Sequence, residues 1–166
     1  RRRLVEHIGE GPELHQRTNF PRHRGRRYHV RAVKSALVVR EAFEDLRTGA
    51  AARDDGRAWD IMAHAVDAAT IRCIEIAGNE PDKNPMLPIM LAANAALKRI
   101  RERRDRTGSW GLDGPALTEL PEALDLYQEI LMNSSPAQMA KAAQVRWDVI
   151  AGKPSKIIAL QAESIS

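Results

Sequence analysis

The sequence is poor in sulfur and in rings. Its one cysteine, Cys73, excludes an intramolecular disulfide and any zinc centre built from several cysteines. Seven aromatic residues occur in 166: Phe20, Tyr28, Phe43, Trp59, Trp110, Tyr127 and Trp147. No apolar run approaches the ~20 residues that span a bilayer. β-Branched residues are few, which argues against a β-sandwich. There is no Gly-x-Ser-x-Gly or dinucleotide-binding glycine pattern. Gly152-Lys153-Pro154-Ser155-Lys156 lacks the upstream glycine and the preceding strand of a phosphate loop. What the chain has instead is alanine, 25 residues of it, together with leucine, glutamate and arginine. These are the strongest helix formers, and alanine lets helices approach closely.

The net charge of +4 conceals an uneven distribution. Residues 1–40 hold eleven basic and three acidic side chains, whereas residues 41–166 hold fifteen basic and nineteen acidic. The basic character therefore belongs to an arm, and the body is mildly acidic. Such asymmetry points to contact with nucleic acid or another polyanion. Gly9, Gly11, Pro12, Pro21 and Gly25 interrupt the first 30 residues, so residues 1–31 read as an extended or disordered arm. The chain starts at Arg1 without methionine, and the arm is expected to continue upstream. No apolar segment follows the arginines, which argues against a secretory signal. Glu6, Glu10 and Glu13 argue against a mitochondrial presequence, and a cytoplasmic setting is expected.

Residues 32–152 predict an all-α domain, a compact bundle of four to five helices, followed by a tail or short helix over 153–166. The first helix is expected at about 32–47, with Val33, Ala36, Leu37, Val39, Phe43 and Leu46 in its apolar stripe. The second runs over about 56–77, capped by Asp54 or Asp55. The third runs over about 85–105, started by Asn84-Pro85 and ending in a basic run. The fourth covers about 115–132, with a break near Pro121 and Thr118 as a cap for its second part. Leu117, Leu120, Leu124, Tyr127 and Leu131 form its stripe. The fifth covers about 136–151, where Ser135-Pro136-Ala137-Gln138 reads as a capping box with proline at the first position. Trp59, Trp110, Tyr127 and Trp147 are the expected large anchors.

One region carries a family resemblance. Arg26-Arg27-Tyr28, Trp59, Arg101 to Arg104, Gly108-Ser109-Trp110 and Ala123-Leu124-Asp125-Leu126 follow one another in a characteristic order. In this the chain, over about residues 24–151, resembles a group of small helical proteins of phages, prophages and plasmids in proteobacteria. The resemblance implies a mobile-element origin. It supplies no activity and no catalytic residues.

Three features carry candidate chemistry. Arg22, Arg24, Arg26, Arg27, Tyr28 and Arg31 interleave guanidinium groups with one ring, so the arginines suit phosphates and Tyr28 suits stacking on a base. The competing account is a solubilising tail or a protein-binding segment. Arg99, Arg103 and Arg106 add a second basic patch at the end of the third helix, where cations also complement the helix dipole. Trp110, in its glycine-rich turn, suits either a packing wedge or a partner-binding contact. Asp60, His64 and Asp67 share a helix face, a spacing that suits a divalent metal or an acid–base pair but equally an exposed polar stripe. His7, His15, His23 and His29 are scattered without metal-ligand spacing.

These features predict a non-enzymatic accessory protein without cofactor or metal. It would bind nucleic acid through the arm and the basic helix end. The alternative is a protein-binding adaptor or inhibitor acting through its helical surface on a host or phage complex. Oligomeric state is left open.

Overall fold

A computed structural model describes residues 26–50, 56–78, 80 and 83–152, with side chains from Val30 onward. The expected arm up to residue 25 and the expected tail over 153–166 lie outside the described residues, and Gly56, not Asp54 or Asp55, stands at the N-cap of α2 with no side-chain cap bond. Five α-helices and no strands are present among the described residues: α1 (Arg26–Thr48), α2 (Arg57–Ala77), α3 (Met86–Thr107), α4 (Ala116–Asn133) and α5 (Pro136–Ile150). None is long and apolar enough to cross a membrane. Helices α1 to α4 form a four-helix arrangement in which each packs on its neighbours in sequence and α4 closes onto α1. Helix α5 lies antiparallel on the outside of α2. Arg72 meets Ser134 at one end of that contact, and Asp67 meets Arg146 further along.

The core is built from small residues near the helix contacts and larger ones in layers between them. Ala69, Ala93, Ala96, Ala116 and Ala123 are fully enclosed, alongside Met62, Met90 and Leu120. Burying such side chains stabilises the fold by roughly 25 cal/mol per Å² of apolar surface removed from water. Helix α2 has the heaviest burial, with twelve of its 21 residues inside, because α1, α3, α4 and α5 all touch it.

The helix boundaries follow local chemistry. Ser135 and Gln138 form the expected reciprocal capping box, with Pro136 at the first position of α5. Asn84 works in two directions: Oδ1 accepts from the Met86 amide, and Nδ2 donates to the Cys73 carbonyl at 2.8 Å, tying the α3 entrance to the end of α2. Gly108 ends α3 at φ 73°, a left-handed conformation that suits glycine.

Several expectations are corrected. Helix α1 begins at Arg26, not at 32, so residues 26–31 of the expected arm are helical. Gly25 is the last breaker, and the arginine-rich run after it has good helix propensity. Helix α4 is continuous through Pro121. The proline leaves the Leu117 carbonyl without a helical N–H partner, but Leu117 is half exposed. Thr118 does not cap. Asp113 Oδ1 instead accepts from the Ala116 amide at 2.8 Å and opens the helix. Trp147 is 52% exposed and is not a core anchor, and Ala142 alone of α5 is buried.

Gly56, just before α2, is required twice over. Its φ is +99°, and a Cβ built there would lie 2.7 Å from Trp110 Cζ2. Gly49 also has positive φ, at +76°, but faces open space. Gly49→Ala is expected to cost only the backbone strain, about 1–2 kcal/mol. Gly56→Ala is expected to cost clearly more, about 3 kcal/mol or above, because the tryptophan ring must also move. Urea unfolding of both variants measures the difference, and equal losses would contradict the wedge role of Trp110.

Candidate functional site

The six cations of the third helix end, Lys98, Arg99, Arg101, Arg103, Arg104 and Arg106, divide by helical face. Arg101 and Arg104 turn toward the tryptophans. Trp59 and Trp110 stack with centroids 5.9 Å apart, and Trp59 Nε1 donates to the Leu97 carbonyl at 2.9 Å. The Arg101 guanidinium lies 5.3 Å from the Trp59 ring and 5.9 Å from Trp110, and Arg104 lies 5.5 Å from Trp110. These are cation–π distances. Asp105 sits 3.5 Å from both arginines, so the expected Arg101–Asp105 pair is present. Trp110 is 6% exposed. Its ring is enclosed by Gly56, Trp59 and the two arginines, the arrangement the packing-wedge alternative expects. It is a wedge of the fold.

Arg99, Arg103 and Arg106 sit at i, i+4 and i+7, on one face. Arg99 is committed within the fold: it donates to Asp113 at 2.9 Å and to Glu119 at 2.5 Å. The Arg99 hydrogen bond holds the Asp113 carboxyl below the usual carboxylate range. The two acids in turn raise Arg99 above its ordinary value. Arg103 donates to the Leu112 carbonyl at 3.3 Å and remains exposed, as does Arg106. Nothing local in the chain announces the Arg99 pairs, since Asp113 and Glu119 lie 14 and 20 residues away.

Among the described residues, the two expected basic regions are not brought together. Arg22 and Arg24 lie outside the described residues, and Arg26, Arg27 and Tyr28 lie in the first turn of α1. Arg31 is exposed in the second turn. Helix α1 has 23 residues, so its ends are about 35 Å apart at ~1.5 Å per residue. Its start is level with the end of α2, whereas α3 finishes beside the start of α2, where Trp59 meets Leu97 and Arg101. Arg31 and Arg106 therefore lie toward opposite ends of the bundle.

Asp60 on the polar face of α2 is exposed, whereas His64 and Asp67 are partly buried and face α5. Asp67 Oδ2 accepts from Arg146 Nε at 2.7 Å, and Arg146 Nη1 lies 3.1 Å from His64 Nε2. The His64 ring meets Trp147 edge-on at 5.2 Å. A guanidinium from α5 thus occupies the place a cation would take between Asp67 and His64. No group of three or more metal-binding side chains occurs among the described residues. Burial pushes the His64 pKa down, and Arg146 adds to that, against smaller opposing effects of Asp67 and Asp60. Sequence inspection had no signal for Arg146, which lies 79 residues from Asp67.

Further along the same contact, Arg72 is 7% exposed and bound to Glu75 and to Ser134 Oγ. Lys141 reaches Glu75 at 2.8 Å. Burial pushes the Glu75 carboxyl up, but the hydrogen bonds from Lys141 and Arg72 outweigh it and hold the carboxyl below its ordinary range. Cys73 is fully buried, and its thiol is pushed up to about 12 by desolvation, so it is an inert core residue.

Two grooves flank α5. One, of about 380 Å³, lies toward α3 and is lined by Trp59, Asp67, Asn94, Lys98, Arg101 and Arg146 among others. The other, of about 520 Å³, lies toward α1 and is mainly apolar, with Val38, Ile61, Met139 and Ala143 in its walls and His64 at one side. The chain matches no protein-family model, no curated protein and no solved structure.

Because the folded pKa of His64 is lowered, its neutral form is favoured by the fold. The stability this provides is complete above 6.5, the unfolded value, and is lost as pH falls below 6.5 toward the lowered folded value. Thermal unfolding followed across this range is expected to show a falling Tm. His64→Gln is expected to flatten that part of the profile. An unchanged profile would remove His64 from the α2–α5 contact energetics.

Proposed function

We propose that this chain is a non-enzymatic accessory protein that associates with nucleic acid through the cationic end of α3. One observation carries the reading. Arg99 takes up Asp113 and Glu119, and Arg103 and Arg106 present their charge to solvent. Two exposed guanidinium groups one helical turn apart match successive phosphates. The basic residues Arg22 to Arg31 extend the same chemistry along the chain. The resemblance over about residues 24–151 to proteins of phages, prophages and plasmids supports the accessory role.

The protein-binding reading stands second. It is favoured by the apolar groove between α1 and α5, whose His64 meets the ring of Trp147, a residue 52% exposed. Exposed aromatic anchors beside an apolar groove are features of protein interfaces.

Fluorescence anisotropy of labelled duplex and single-stranded probes separates the two. The first reading predicts binding whose affinity falls steeply with salt. The Arg103→Ala/Arg106→Ala variant is expected to lower the log–log salt slope by about 2, one unit for each lost phosphate contact. No binding at low salt, or a slope unchanged in the variant, would overturn it. The second reading predicts a protein complex that survives moderate salt and is lost in Trp147→Ala.

A further inference from the structure

Eight large apolar side chains are exposed among the described residues, and Val30, Val33, Leu37 and Val38 account for half of them within nine residues of α1. The sequence pattern merges Val33 and Leu37 with the core stripe, but the structure separates them. Ala32, Ala36, Val39, Phe43 and Leu46 face the bundle, while Val30, Val33 and Leu37, at i, i+3 and i+7, form a ridge on the opposite side. The first half of α1 is thus apolar on both sides, a pattern that belongs to a helix covered on both sides.

The ridge also changes sign along its length. Arg31 and Lys34 flank the apolar residues, and Glu41, Glu44 and Asp45 follow, all exposed. Glu44 already holds Arg47, whereas Lys34 and Glu41 make no ion pair among the described residues. Laid parallel, two such ridges would set Lys34 against Lys34 and Glu41 against Glu41. Laid antiparallel, they set the cations of one copy beside the carboxylates of the other and keep the apolar residues in contact. A two-fold axis near Leu37 makes the surface complementary to itself.

We infer that the outer ridge of α1 is a homodimer seam. A second copy pairs with it antiparallel, Val33 and Leu37 form the apolar centre, and Lys34 of each copy lies beside Glu41 of the other. The apolar centre supplies the affinity, and the charges set the direction of pairing. The arrangement has a consequence for the basic residues. It carries Arg31 and the start of α1 of one copy toward the end of the bundle where α3 of the other copy finishes. The cations that one chain holds apart then share an end of the pair.

Sedimentation equilibrium of the full chain, at increasing concentration and without nucleic acid, tests the seam. The expected mass rises to twice 18.5 kDa. Leu37→Glu is expected to give a folded monomer whose melting curve matches that of the wild type at concentrations too low for pairing, because Leu37 is 52% exposed and lies outside the core. Lys34→Glu and Glu41→Lys are each expected to weaken the dimer several-fold, and the double swap K34E/E41K to restore it. A wild-type monomer at every concentration, or a dimer that survives Leu37→Glu, would overturn the seam. Failure of the double swap to restore pairing would overturn the antiparallel arrangement. Each outcome is read without nucleic acid, so it is independent of the binding proposal.

Discussion

Helix α2 is the element on which the rest of the structure depends. Four other helices pack on it, so it cannot offer a polar side to solvent in the way an outer helix does. Its apolar positions are accordingly small or compact: Ala58, Ala63, Ala65, Ala68 and Ala69, with Met62, Val66, Ile71 and Ile74 between them. Its polar positions must be paired in place. Thr70 donates to the Val66 carbonyl and receives Asn94 Nδ2, Arg72 binds Glu75 and Ser134, and Asp67 binds Arg146. Leaving any such group buried and unpaired would cost about 1–3 kcal/mol, more for a charge. No buried side-chain nitrogen or oxygen among the described residues lacks a partner.

This constraint separates what could be read along the chain from what could not. The Ser135–Gln138 capping box, the Asn84-Pro85 start and the glycine stop of α3 depend on residues within four positions of one another, and local chemistry suffices to locate them. The pairing of Arg99 with Asp113 and Glu119, and of Asp67 with Arg146, depends on which helices become neighbours, which periodicity does not state. The face of α1 is a different difficulty. Val33 and Leu37 match a three-and-four spacing as well as Ala36 and Phe43 do, so one pattern covers two sides of the helix. Trp147 misleads in a similar way, since a large aromatic at a helical position reads as core yet is half exposed on α5. Asp60, His64 and Asp67 do share a face, but α5 supplies the partner for that face.

The distribution of arginine bears most directly on function. Arg72 and Arg146 fasten α5, Arg99 fastens the start of α4, and Arg101 and Arg104 cover the paired tryptophans. A basic pI of 9.6 is therefore a poor measure of the charge this protein offers to another molecule. Among the described residues, Arg103 and Arg106 at the end of α3 and Arg31 and Lys34 on α1 are exposed, near opposite ends of the bundle. These groups are carried on a scaffold built around one enclosed helix.

Native-state hydrogen exchange tests the central role of α2 most directly. If α2 holds the bundle together, its central amides from Met62 to Ile74 exchange only through global unfolding and share one opening free energy. Helix α5 then exchanges at a lower opening energy, since it touches α2 alone over a broad contact. Amides of α2 that exchange faster than those of α3 and α4 would contradict the account.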